Sequence, residues 1–278
     1  MDKIVFNVKG KEPEKELYRS CRRMIVGPWL NQPEHYEGYN GFVGWTGITR
    51  LRSGRWIMTF SSGYWHFSPP LTPEVLQDNT AKSLFDKWQK IGMPFIAAPR
   101  GGRSHIMFSE DEGRTWSQPE LLIDTCRDDR HPTIIELDNG KLLCTFFSGA
   151  ILPYDFDAYY ITSEDGGKTW TDPRLFPAKS KSFGNGPAIQ LKNGRILCCT
   201  GSEEENKSET VNICASDDRG ESFYCLSRIE SPKSCVGSSE SSLCELSDGS
   251  IIMISRNEGP IYRSRDGGIT WSGPSVFG

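Results

Sequence analysis

The chain has 278 residues, with 32 Lys and Arg against 36 Asp and Glu, and a formal net charge of −4. That length buries a sizeable core in one domain, and interspersed charges with a slight acidic excess leave no basic patch for a nucleic-acid backbone. No apolar run approaches a membrane span, and the nine cysteines show no metal-site or redox spacing.

Residues 1–44 open the chain. Met1 to Arg23 is charged and lacks the apolar segment of a secretory signal. Together with free thiols this predicts a cytoplasmic protein; an exported protein whose leader lies outside this sequence is the alternative. Ile4–Val8 and Cys21–Val26 read as strands, and one of them is expected to complete the last blade of a ring. The first full unit starts at Trp45, with strands at Gly47–Leu51, Arg55–Phe60, Ser104–Phe108 and Glu120–Ile123. Residues 61–103 interrupt it. Within that insertion, Val75, Leu76, Leu84, Phe85, Trp88 and Ile91 recur at helical spacing, which predicts one or two short helices over 73–91, laid over one face.

Three further units follow with the same grammar. Leu51-Arg52-Ser53-Gly54, Leu137-Asp138-Asn139-Gly140, Leu191-Lys192-Asn193-Gly194 and Leu246-Ser247-Asp248-Gly249 each separate two apolar runs, as tight hairpins do. A second phrase, Ser-x-Asp-x-Gly-x-Thr-Trp, recurs at Ser109–Trp116, Ser163–Trp170, Ser216–Phe223 and Ser264–Trp271. Its Asp suits a turn in which a carboxylate accepts backbone N–H groups while Gly takes positive φ, and its aromatic residue can plug the turn. The last three hairpin glycines recur about every 55 residues, the period of a propeller. The expected fold is an all-β propeller of four-stranded antiparallel blades in a single domain, 1–278. Four blades are visible, with residues 1–44 as an N-terminal partial blade, or the chain is an incomplete six-bladed ring.

Blade geometry sorts the loops. Hairpins and boxes share one face; second-to-third loops and blade-to-blade loops share the other, where a funnel site would gather Trp65, Asp129, Arg130, Asp155, Asp157, Asn185, Glu240 and Arg256. Arginine offers a fixed fork for a carboxylate, paired acids can work on a glycosidic bond, and a Trp face can stack on a sugar. Each has a plainer reading. Arg130 can pair with Asp128 or Asp129 and hold a loop, Glu240 can cap backbone N–H groups, and Asp155 and Asp157 can be solvated loop acids. His66, His105 and His131 lack metal-ligand spacing and read as hydrogen-bonded structural histidines, and neither a metal nor a cofactor is expected.

Four boxes in register with four hairpins resemble the sialidase (neuraminidase) superfamily of Asp-box, or BNR-repeat, propellers, over about residues 45–278. The resemblance implies a glycoside hydrolase of exo-α-sialidase type acting on an anionic sugar in the central funnel. Residue by residue, it makes Arg130, in Arg130-His131-Pro132, and Arg256, in Arg256-Asn257, clamps for the substrate carboxylate. It makes Asp155 or Asp157 the general acid/base and Glu240 the residue that activates a tyrosine nucleophile. Asn185 and Asp129 join the substrate-binding set, and Trp65 is the candidate sugar platform. Two departures accompany it: the Arg-x-Pro motif stands on the second visible blade, and the third clamp arginine and the tyrosine are expected beyond residue 278. The alternatives are a non-catalytic carbohydrate- or protein-binding propeller, and another carbohydrate-active enzyme such as a polysaccharide lyase. The expected partner is a glycan, with no nucleic acid and no membrane; the sequence sets no oligomeric state.

Overall fold

The computed structural model describes residues 3–4, 20–21, 24–26, 42–92, 98–177, 182–183, 186–203, 209–230, 240–256 and 259–275. Short strands β1 (Lys3–Ile4) and β2 (Ser20–Cys21) pair with each other. Blade one is β3 (Phe42–Arg50), β4 (Trp56–Gly63), β5 (Arg103–Ser109) and β6 (Glu120–Ile123). Blade two is β7 (Asp128–Glu136), β8 (Leu142–Ile151), β9 (Tyr154–Ser163) and β10 (Arg174–Leu175). In blade three the inner edge is split into β11 (Ser182–Phe183) and β12 (Ile189–Gln190), both on β13 (Ile196–Glu203), followed by β14 (Glu209–Ser216) and β15 (Tyr224–Glu230). Blade four is β16 (Ser241–Glu245), β17 (Ile251–Ser255), β18 (Ile261–Ser264) and β19 (Ser272–Ser275). Within every blade, neighbouring strands run antiparallel. The arrangement is a β-propeller. Among the described residues the fourth blade takes all four strands from its own segment, and the N-terminal strand expected to complete it pairs elsewhere.

The alternating apolar residues of these strands bury into layers between successive blades. Leu51, Ile57, Ile106, Ile134, Leu142 and Phe146 fill the space between blades one and two. Leu137, Leu143, Tyr160, Ile196 and Cys214 fill that between two and three, and Leu197, Val211, Ile213, Ile251 and Met253 that between three and four. Each fully buried aliphatic chain contributes about 1.5–3 kcal/mol, so the layers carry the fold. Cys144, Cys198, Cys199 and Cys214 are buried members of strands, and these four together with Cys126, Cys225 and Cys244 are free thiols.

The boxes close the outer hairpins as local hydrogen-bond knots. In blade two, Asp165 Oδ1 accepts the N–H groups of Lys168 and Thr169, both at 2.9 Å, and Oδ2 accepts the Thr169 hydroxyl at 2.6 Å. The Gly167 N–H donates to Ser163 Oγ at 2.9 Å, and Trp170 Nε1 donates back to the Gly167 carbonyl at 3.1 Å, laying its ring on the layer between blades one and two. These bonds to the ionised carboxylate hold Asp165 below the usual range, and they hold Asp111 and Asp266 to about 2.

A second repeated contact ties blade to blade. The N–H of Arg52 donates to Glu136 at 2.7 Å, that of Asp138 to Gln190 at 2.7 Å, and that of Lys192 to Glu245 at 2.9 Å. In each case a hairpin amide of one blade meets the last inner-strand side chain of the next.

The insertion folds as two helices, α1 (Pro73–Gln77) and α2 (Asn79–Lys90). Thr72 caps the first, with Pro73 at its first position, and the Asp78 carboxylate starts the second by accepting the Ala81 N–H at 2.8 Å. Ala81 and Phe85 bury against Tyr64, Leu71 and Ala98. No helix among the described residues is long and apolar enough to cross a membrane.

Candidate functional site

A cavity of about 470 Å³ opens where the inner strands begin. Its lining comes from the start of β3 (Trp45), the loop after β4 (Trp65, His66, Phe67), the end of the insertion helices (Trp88, Ile91) and β7 (Arg130, His131). The end of β8 (Phe147), the start of β9 (Tyr154, Phe156) and the two ends of the β16–β17 hairpin (Glu240, Arg256) complete it. All these positions lie on the face opposite the boxes and hairpin glycines, none of which touches the cavity.

Two inner strands carry the same irregularity at the cavity. In β3 the register shifts between Gly44 and Gly47, and in β7 between Arg130 and Thr133. At each bulge one non-glycine residue takes the left-handed region, Trp45 at φ 53° and His131 at φ 57°. Strained backbone of this kind concentrates at functional sites, and here both strained residues line the cavity. Trp45 meets His66 edge-on at 4.8 Å and lies 6.3 Å from His131. Further rings run in sequence: Trp88 to Phe67 at 5.3 Å, Phe67 to Phe156 at 5.0 Å and Phe156 to Tyr154 at 5.2 Å. A Cβ at Gly149 would stand 2.7 Å from Phe67 and 2.8 Å from Phe156, so only glycine leaves room for that row.

Arg130 forms the floor. It is fully buried, with Nε 2.7 Å from Asp128 Oδ1, and its other nitrogens donate to the carbonyls of Ser62 at 3.3 Å and Trp65 at 3.2 Å. Gly63 and Gly102 make this possible: a Cβ on either would come within 2.5 Å of the guanidinium. Burial raises the Asp128 carboxyl, while the Arg130 guanidinium and the Ser68 N–H, 2.6 Å from Oδ2, work against that shift. At the rim, Arg256 Nη1 stands 2.8 Å from Glu240 Oε1, and the Arg256 N–H donates to the Glu240 carbonyl at 2.7 Å. Burial lowers both His66 and His131, which are therefore neutral at pH 7; Glu240 opposes the shift in each.

Of the residues singled out in the sequence, Trp65, Arg130, Glu240 and Arg256 are thus brought together. Asp155 and Asp157 are not among the lining. Strand alternation turns Tyr154 and Phe156 to the cavity and the two acids away from it, onto Arg127 at 2.6 and 3.3 Å. Asp129 is buried beneath, where Thr125 N–H, Thr125 Oγ1 and Ser148 Oγ donate to it at 2.6, 2.9 and 2.7 Å. Asn185 and Asn257 lie outside the described residues. His105 is a structural histidine, bonded to Ser62 Oγ at 2.8 Å and stacked on Phe60 at 5.1 Å. His66 and His131, read from sequence as the same kind, face the cavity. Among the described residues no group of three His, Cys, Asp or Glu converges as metal ligands.

The model of the BNR repeat-like domain matches residues 105–277, more than half of the chain. The chain belongs to this family. The BNR propeller is 26% identical over 197 residues to a sialidase of Paraclostridium sordellii, an alignment covering 59% of this chain and 48% of that protein. It therefore spans about half the length of this curated relative. Among solved structures it superposes on a protein of unknown function from Dyadobacter fermentans (TM-score 0.65, 19% identity, 85% of this chain and 69% of that one). A Streptococcus pneumoniae sialidase, in a K499G mutant form, gives TM-score 0.62 at 13% identity over 92% and 54% of the two chains. The Trypanosoma rangeli sialidase in complex with sialic acid gives 0.56 at 17% identity over 85% and 39%. At these identities the structures share the fold: this is a sialidase-like BNR propeller.

The buried Asp129 of this BNR propeller gives a pH-dependent stability. Burial, and to a lesser degree the neighbouring Asp128, raises its carboxyl to about 6. Between its ordinary value of 3.8 and about 6 the folded protein holds a proton that the unfolded chain has released, so this group's contribution to stability falls as pH rises through that window. The total is about 3 kcal/mol. Asp129→Asn removes the titration, and its stability relative to wild type, measured by urea denaturation, is expected to rise between pH 4 and pH 7. A difference that does not change with pH would show that Asp129 ionises normally.

Proposed function

We propose that the cavity is a carbohydrate site. The observation that carries this reading is seven aromatic side chains around a space of sugar size, with one ion pair at its rim. Ring faces take the apolar faces of a pyranose, while neutral imidazoles and the Glu240–Arg256 pair offer acceptors and donors for hydroxyls. The sialidases among the relatives favour the same ligand class. Hydrolysis is a second reading, favoured by Glu240, which lines the cavity and is the activating acid that the sequence resemblance implies. A pair of catalytic carboxylates is not what supports it, since Asp155 and Asp157 are held by Arg127.

A glycan array and a panel of fluorogenic glycosides test both readings. Binding is expected, and Trp65→Ala or Tyr154→Ala is expected to weaken it about tenfold, near 1.4 kcal/mol for one stacked ring. Tyr154 is exposed, so its variant isolates the site from the fold. Absence of any bound glycan would reject the carbohydrate reading; aglycone release lost in Glu240→Ala would establish hydrolysis.

A further inference from the structure

The blade-three box differs from the other three in one bond. In blades one, two and four the Trp Nε1 at the end of the box donates to the carbonyl of the box glycine, at 3.1, 3.1 and 3.0 Å. Phe223 stands in that place in blade three and has no side-chain N–H to give. At the base of the same hairpin, two residues before Ser216 and two after Phe223, stand Cys214 and Cys225. The matching pairs in the other blades are Met107 with Gln118, Ile161 with Asp172 and Tyr262 with Gly273, so blade three alone carries thiols there.

Register, not sequence spacing, brings the two together. The pairing of β14 with β15 slips by one residue between Ile213 and Cys214, which sets Cys225, rather than Leu226, opposite Cys214. Directly opposed residues share a face of the sheet, with Cα atoms about 4.5–5.5 Å apart, inside the roughly 4.4–6.8 Å that a disulfide spans. The packing agrees. Cys214 belongs to the layer between blades two and three, Leu226 turns to the layer between three and four, and Cys225, one step from it, turns back. Access divides them: Cys214 is fully buried, whereas Cys225 is exposed on β15, the outer strand of the blade. Burial, and after it the nearby Cys225, pushes the Cys214 thiol up to about 12, so Cys225 is the one that meets a reagent first.

We propose that Cys214 and Cys225 form a thiol–disulfide exchange site for a small soluble disulfide of the glutathione class, and that its closure staples the blade-three hairpin where the Trp bond is missing. The Cys225 thiolate attacks one sulfur of the small disulfide, forming a mixed disulfide and releasing one small thiolate, which takes up a proton. Cys214 then gives up its proton and attacks Cys225 Sγ, which breaks the mixed disulfide and releases the second small thiol. The protein loses two protons and two electrons, and the small disulfide gains them as two thiols. Because the boxes lie on the face opposite the cavity, this site stands apart from the carbohydrate reading.

The test is incubation of the folded protein with glutathione disulfide at mildly alkaline pH, alkylation of the remaining thiols, and peptide mapping without reduction. Trypsin cuts after Arg219 and so separates Cys214 from Cys225, which makes the bond readable as two linked peptides, two hydrogens lighter than their sum. That linked pair is expected in wild type, together with a rise of about 0.5–1 M in the urea midpoint that dithiothreitol reverses. Cys225→Ser, at an exposed position that spares the fold, is expected to show neither. Cys214→Ala is expected to stop at glutathione on Cys225. Cys198→Ala removes the other thiol paired opposite Cys214, and is expected to leave both the link and the rise in place. The proposal is overturned if wild type stops at glutathione on Cys225, if Cys225 does not react, if the link joins other thiols, or if the midpoint stays where it was.

Discussion

Asp128→Ala is expected to destabilise the protein by about 3–5 kcal/mol, read as a fall in the urea midpoint. The reason is the partner that it leaves behind. Arg130 is fully buried and its guanidinium does not deprotonate, so removing Asp128 strands a full charge between Gly63 and Gly102 with two carbonyls as its remaining acceptors. Typical domains have about 5–15 kcal/mol in total, so a loss of this size consumes a large share. The double variant Asp128→Leu with Arg130→Met separates charge from space. It removes both ions and fills the volume, and it is expected to recover most of the stability, because an apolar replacement escapes the desolvation cost. If the single and double variants melt together, the pair is not electrostatically coupled. The same comparison reports on the site. Asp128 holds the Ser68 N–H at 2.6 Å and Arg130 the Trp65 carbonyl at 3.2 Å. The loop bearing Trp65 and His66 therefore loses one tie in Asp128→Ala and both in the double variant, and should loosen most in the double variant even where stability returns.

Why Arg130 serves the scaffold as well as the cavity shows what was legible beforehand. Boxes and hairpin glycines were readable because they are local: the bonds that Asp165 makes all fall within four residues of it, and Gly54, Gly140, Gly194 and Gly249 all take the positive φ their turns need. From these alone follow four blades and the face on which a cavity must lie. In the boxes of blades one and three, Glu112 and Arg219 adopt the left-handed conformation that Gly166 takes in blade two, so the turn tolerates a side chain that the pattern alone would not suggest. The site was less readable because it depends on parity. Asp155 and Asp157 differ from Tyr154 and Phe156 by one step along β9, and one step decides cavity or Arg127. Asp128 and Arg130, two apart in β7, share a face, and that signal favoured their pairing. The bulges at Trp45 and His131 lie beyond such rules, since each breaks the alternation at the very place where a side chain enters the cavity. The aromatic row went unseen for another reason. Phe67, Trp88, Phe147 and Phe156 come from four separate elements, the loop after β4, α2, β8 and β9, that only the tertiary fold assembles. The blade-to-blade staple is visible once its geometry is known, as the Glu136, Gln190 or Glu245 that precedes Leu137, Leu191 or Leu246.

Gly186→Ala is expected to cost about 2–3 kcal/mol and to weaken glycan binding by more than tenfold, although Gly186 is not part of the cavity lining. Its absent Cβ would lie 2.0 Å from the Ser241 carbonyl oxygen and 3.4 Å from the Ser242 Cα, both backbone atoms that no rotamer change can move. Relief requires the first strand of blade four to shift by about an ångström, against the close packing of the layer between blades three and four. Ser241 follows Glu240 directly, and the Ser241–Ser255 register carries Arg256 with it. The ion pair at the rim must then move with the strand, and a displacement of that size is enough to spoil a preorganised site. Gly194→Ala provides the contrast. Nothing lies within 4 Å of its Cβ position, but its φ of 91° is unfavourable for alanine, so it is expected to lose about 1 kcal/mol through strain and to bind as wild type. Calorimetry on the two variants, with urea denaturation alongside, distinguishes the effects: equal binding by both would mean that blade four does not position Glu240 through its contact with Gly186.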